Sequence, residues 1–347
     1  MRTTLCIAAI STLIATIIAP SAVIAQETLY IGGSGGSKQV TLEEQLVPAF
    51  ESRTGANVVY VPASSSDTLA KVIAQKGNQD LSLLWIDSSV MLQAIDLDLC
   101  APLPQDPVIN DIYPPARMDG GTAIGTGFYA TGLAYNTEVF AKNGWDAPTS
   151  WNDLGDSKYK GKVTIGPFAG FGVEALVMVA KANGGSEANI EPGFKAFSEK
   201  IASNVFAWEG NNSNVSQMLQ TGEAALAVWS DTRTMYLADQ GAPVKFAVLK
   251  EGAEQAMTAA CVVKGAPQQE LAERFLIESL LSPEGQVAMA ESAGYGPTNS
   301  KVKLEPELAA KVIYGLDQVK KLVPTDWLAV NKQREDWTKR WNREVER

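Results

Sequence analysis

The sequence predicts an α/β chain of two lobes, each a mainly parallel sheet flanked by helices. Three observations predict it. Short apolar runs of strand length alternate with segments of helical period, the pattern of parallel sheets covered on both faces. A stretch rich in glycine and aromatics, Thr126–Asn136, breaks that alternation and reads as a crossover between lobes. Beyond the first 25 residues about 320 remain, room for two lobes of roughly 150 residues with a core each.

The N-terminus reads as a leader. Arg2 supplies a positive start, Leu5–Ile18 an apolar segment, Pro20 and Ser21 a break, and Val23-Ile24-Ala25 a small-residue cleavage pattern. The apolar segment is shorter than the ~20 residues a spanning helix needs. Residues 1–25 are therefore expected to be a signal peptide cut near Ala25, and the rest to reach the periplasm. No other stretch is long and apolar enough to span a bilayer.

Thr28–Ile31 reads as the first strand, followed by the run Gly32-Gly33-Ser34-Gly35-Gly36-Ser37-Lys38. A helix is expected from Thr41, with Glu44 completing a capping box, Pro48 kinking it and Gly55 stopping it. Asn57–Pro62 is the second strand, Asp67–Gln75 the second helix and Leu81–Ile86 a buried third strand. In such sheets ligands lie beyond the carboxyl ends of the strands, here Gly32–Ser37 and Asp87–Ser89. The glycine run matches neither the Walker nor the dinucleotide pattern, and no cofactor is expected. It leaves a flexible turn whose N–H groups open a helix.

Beyond the crossover come a short helix at Trp151–Leu154, a strand near Val163 and helices over Gly172–Ala182, Glu191–Ile201 and Val215–Gln220. Ala224–Trp229 is a buried strand ending at Ser230-Asp231-Thr232-Arg233. Val244–Leu249 and Thr258–Val263 read as strands, the second returning to the first lobe. The division expected is 26–132 and 256–300 for lobe 1, 133–255 for lobe 2, and 301–347 as C-terminal helices packing on lobe 2.

Composition narrows the function. Lys and Arg number 29 against 39 Asp and Glu, a net charge of −10, which offers no footprint for nucleic acid or anionic lipid. The chain has no histidine, which removes Ser-His-Asp and Cys-His chemistry and His-ligated zinc. Two cysteines remain after the leader, Cys100 and Cys261, read as a bridge in an oxidising compartment or as two buried thiols.

An ordered set of motifs now becomes specific. Pro48-Ala49-Phe50-Glu51-Ser52-Arg53-Thr54-Gly55, Thr149-Ser150-Trp151-Asn152-Asp153-Leu154, Tyr159-Lys160-Gly161-Lys162, Gly222–Trp229, Leu281–Gln286 and Gly294–Asn299 together resemble bacterial extracellular solute-binding proteins. Within them the chain is similar to the spermidine/putrescine-binding family. The resemblance implies a type II periplasmic-binding-protein fold, a small amine-containing ligand and no catalysis. It also implies a monomer that delivers its ligand to an inner-membrane ABC permease with ATPase subunits. It points to Trp229-Ser230-Asp231, Phe128-Tyr129, Trp85-Ile86-Asp87 and Glu174 as ligand contacts, with Arg233 an added cation. No metal ligand is assigned.

Two departures matter. The polyamine family carries aromatic and acidic residues after the first strand, where this chain has Gly-Gly-Ser-Gly-Gly-Ser. Gly166–Phe171 lacks an acidic pair for a second amine. A shorter amine, with or without a carboxylate, fits as well as a dication. Each site residue also has a second reading: core packing for Trp85, Phe128 and Trp229, a helix cap for Asp87 and Asp231, and a solvated helix face for Glu174. A ferric-iron, thiamine or sugar receptor, and a secreted carboxylate-dependent hydrolase, stay open as alternatives.

Overall fold

The structure, a computed structural model, describes residues 26–346; the expected leader lies outside the described residues. Nine strands form one mixed sheet. They are β1 (Thr28–Gly33), β2 (Asn57–Pro62), β3 (Leu83–Asp87), β4 (Ile124–Asn136), β5 (Val163–Ile165), β6 (Val205–Trp208), β7 (Leu226–Ser230), β8 (Val244–Phe246) and β9 (Glu254–Val262). The order is β2-β1-β3-β9-β4-β7-β5-β6, with β8 also on β4.

Two strands belong to both halves. β4 and β9 pair antiparallel from Ile124↔Ala260 to Thr131↔Glu254. The later part of β9 lies on β3, and the later part of β4 on β7 and β8. Outside this pair, β1 is parallel to β2 and β3, and β5 to β6 and β7. The crossover is glycine-rich because large side chains lie against it. A Cβ at Gly127 would come 2.9 Å from that of Tyr295, and one at Gly132 2.5 Å from the Phe246 ring.

Each half buries its own core. Leu29, Phe50, Trp85, Phe128 and Phe275 share one cluster; Trp151, Leu176, Phe197, Val228 and Trp341 share another. The two-lobed α/β class read from the sequence is the class observed. Cys100 and Cys261 are bonded, with Cα atoms 5.6 Å apart, and both are buried in the first half. Residues 301–347 divide rather than packing as one unit. Ile313 and Val319 join the first core, and from Val323 onward the tail joins the second. No helix among the described residues is long and apolar enough to cross a membrane.

The first helix starts earlier than expected. It runs as α1 (Ser37–Thr41), a π turn (Leu42–Leu46) and α2 (Val47–Thr54). Gly36, at φ 86°, turns the chain directly into it. Thr41 is thus inside the helix, donating its hydroxyl back to the Ser37 carbonyl at 2.9 Å instead of capping. The wide π turn just before Pro48 takes up the missing N–H. The helices that follow and matter below are α3 (Ser65–Ala74), α4 (Ser88–Asp96), α5 (Val173–Ala182), α6 (Asn212–Thr221), α7 (Asp231–Asp239), α8 (Pro283–Ala293) and α9 (Trp327–Glu344).

Candidate functional site

A cavity lies between the halves. The first half lines it with Ser34, Ser64, Ser65, Ser66, Asp87 and Ser89, the second with Gly166, Phe171, Glu174, Asn212, Ser230 and Arg233. Tyr129 on β4, Glu209 after β6, Tyr295 after α8 and Arg334 on α9 also line it. The lobes touch around it: Ser66 Oγ donates to the Ala169 carbonyl at 3.4 Å and Arg233 Nη1 to the Gly35 carbonyl at 3.3 Å.

The first turns of α3, α4, α5, α6 and α7 all contribute to this wall. Their dipoles make the cavity hospitable to negative charge, and Arg233 and Arg334 add to that. Asp87 does the opposite. It ends β3, and its carboxylate accepts from Ser65 Oγ at 2.6 Å and from the Tyr129 hydroxyl at 2.7 Å. Burial, then the Asp87 charge, pushes the Tyr129 phenol well above its ordinary value, so the phenol remains a donor. Burial likewise takes Tyr295, edge-on to Tyr129 at 5.8 Å, up to about 12.

Glu174 opens α5 with Oε2 buried and without a hydrogen-bond partner. Burial pushes its carboxyl up to about 8, against the pull of Arg334. Lys38 lies behind Asp87, wholly buried. Its ammonium group donates to the Trp85 carbonyl at 2.7 Å and sits 4.4 Å from the centre of that ring. Burial brings it down to about 7, with Asp87 opposing.

Of the residues singled out from sequence, Asp87, Tyr129, Glu174 and Arg233 line the cavity. Trp85, Phe128, Trp229 and Asp231 do not. Trp85 is 1% exposed, and its indole N–H donates inward to Thr126 Oγ1 at 2.8 Å. Phe128 is wholly in the first core. Trp229 lies one residue short of the strand end, packs with Val215 and Leu219, and donates to Asn212 Oδ1 at 3.2 Å. The Asp231 carboxylate accepts from the Ala130 and Thr232 N–H groups at 2.9 and 2.7 Å, so it ties α7 to β4. Its burial pushes it up to about 7.

Sequence reasoning missed the serine hydroxyls, Tyr295 and Arg334. The serines carried a signal, since Ser64–Ser66 and Ser230 stand at helix starts following strands. Arg334 carried a clearer one: it falls on the stripe Trp327, Val330, Trp337, Trp341, a lone cation among buried apolar residues.

A cleft between two lobes, with charges of both signs and hydrogen-bonding hydroxyls, is suited to a small polar solute. Residues 45–315 match the family described as bacterial extracellular solute-binding protein, and the chain belongs to that family. By that description its members bind solutes outside the cell. A Haemophilus influenzae protein of uncharacterised function is 27% identical over 70% of this chain and 70% of its own. The gamma-aminobutyric acid-binding protein of Pseudomonas aeruginosa is 25% identical over 79% of this chain and 77% of its own. The periplasmic binding protein AfuA of Actinobacillus pleuropneumoniae, solved with fructose-6-phosphate, superposes with a TM-score of 0.78. That match is 23% identical and covers 93% of this chain and 99% of AfuA.

Proposed function

We propose that the protein is the periplasmic receptor of an ABC importer for a small zwitterion, an ω-amino acid of the 4-aminobutyrate type. The observation that carries this reading is that Asp87 and Arg233 line one cavity. The solute's ammonium group goes to Asp87, with the Tyr129 and Tyr295 rings beside it, and its carboxylate to Arg233 and the helix N-termini. Charged hydrogen bonds contribute about 1.5–3 kcal/mol each, so a few of them reach the ~8 kcal/mol of a micromolar receptor after ordering costs. The 4-aminobutyrate relative supports the same chemistry. A polyamine is less suited, because Arg233 and Arg334 share the wall with Glu174 and Glu209, the carboxylates open to a second amine.

On this reading residues 1–25 are removed on export. Lobes 26–132 with 256–300, and 133–255, close by bending at β4 and β9, and the closed form meets a permease. A phosphorylated or acidic solute is the second reading, favoured by the five helix N-termini and the serine wall. Native mass spectrometry of gently purified protein tests both. A bound mass carrying an amine and a carboxylate supports the first; a phosphate ester or a polyamine overturns it.

A further inference from the structure

The C-terminal helix α9 enters the site through one residue. Arg334 lines the cavity, and its Nη2 is buried with no hydrogen-bond partner among the described residues. The unpartnered Oε2 of Glu174 belongs to the same cavity wall. The rest of the guanidinium is held: Nε donates to Asn331 Oδ1 at 2.9 Å, and its carbon stands 5.8 Å from the centre of the Trp327 ring. Three residues apart on a helix, Arg334 and Asn331 share a face. The other end of the Asn331 amide crosses the cleft, where Nδ2 donates to the Ser89 carbonyl on α4 at 3.1 Å. Leu92 on α4 packs against the second core beside this contact.

We propose that Arg334 is a ligand-contacting residue and Asn331 a positioning residue that latches the lobes. Nη2 takes an oxygen acceptor of the solute, while Nε fixes the Asn331 amide so that its donor end holds Ser89. The latch thereby holds the closed form without a solute, and a solute with an oxygen acceptor at that end gains the Nη2 contact only in that closed form. The inference rests on the reading of this cleft as the solute site, but not on the solute being a zwitterion.

The test uses full-length secreted protein with spin labels at Ala74 and Lys195, one exposed position on each lobe. Interlobe distances and calorimetric affinities are measured for wild type, Arg334→Gln and Asn331→Asp. The Asp variant keeps an acceptor for Arg334 Nε but has no donor for the Ser89 carbonyl. The probes are 4-aminobutyrate, glutamate and fructose-6-phosphate, so that failure of the first with binding of another sinks the zwitterion reading alone. With whichever probe binds, both substitutions are expected to weaken affinity roughly tenfold or more. In ligand-free protein, wild type is expected to populate the short distance and Asn331→Asp to lose it. Wild-type affinity in Arg334→Gln overturns the ligand contact. A short distance kept in Asn331→Asp, or absent from ligand-free wild type, overturns the latch.

Discussion

Tyr129 donates its hydroxyl to Asp87 Oδ1 at 2.7 Å, so a strand shared by both lobes holds the carboxylate that ends β3. Ser65 holds the other oxygen at 2.6 Å. The carboxylate is therefore oriented before any solute arrives, which lowers the ordering cost of binding. Tyr129→Phe removes one of the two anchors and leaves the ring. We expect 4-aminobutyrate affinity to fall roughly tenfold with little change in unliganded melting temperature, by calorimetry and thermal scanning.

Asp231 behaves differently, since its carboxylate is spent on backbone N–H groups of Ala130 and Thr232. Its carboxyl is raised from 3.8 to about 7 in the folded chain. A raised carboxyl favours folding while protonated, and that contribution is lost as pH rises through the folded value. Asp231→Asn keeps an acceptor oxygen without the charge. It is expected to stabilise the protein by about 1–3 kcal/mol at pH 8 and by almost nothing near pH 4, in urea titrations. Solute affinity at pH 8 should stay within about twofold of wild type.

Glu254 extends the same logic to the start of β9. It is 0% exposed, with the Thr325 and Trp327 side chains as the hydrogen-bonding groups beside its carboxylate. Burial, then the nearby Glu174, pushes it well above its ordinary value. Glu174, Asp231 and Glu254 all lose stabilisation as pH rises from 5 to 7. Lys38, lowered to about 7, has the opposite sign, but its stabilisation grows only above that pH. Stability is therefore expected to fall between pH 5 and 7 by on the order of 1 kcal/mol per unit for each group that titrates there. Glu254→Gln should flatten part of that slope; an unchanged slope contradicts the assignment.

The Cys100–Cys261 bond closes a separation of 161 residues in the first half, in a cluster with Met91 and Ile86, away from the cavity wall. The chain-entropy model gives about 5 kcal/mol for such a loop. Replacing both cysteines by Ala should lower the urea midpoint strongly. Solute affinity of the remaining folded protein should not change.

Much of the architecture was legible because it repeats. Alternating strands and helices, and a glycine-rich strand crossed by Tyr295 and Phe246, mark two lobes and their junction. The site was legible only by halves, because position along a strand decides what residue type does not. Asp87 ends β3 and meets the cavity, whereas Trp85, two residues earlier on the same face, is covered by Lys38. Ser230, not Trp229, reaches the mouth from β7. Arg334 lies about 100 residues beyond Arg233, on a helix whose tryptophans read as packing, and only folding brings the two arginines to one wall.

The central claim, one cavity reading an amine and a carboxylate together, is tested most directly by calorimetric titration of wild type with 4-aminobutyrate, putrescine and butyrate. The account predicts that 4-aminobutyrate binds at least roughly tenfold more tightly than either analogue, each of which leaves Arg233 or Asp87 without its partner. Putrescine or butyrate binding as tightly as 4-aminobutyrate would contradict it.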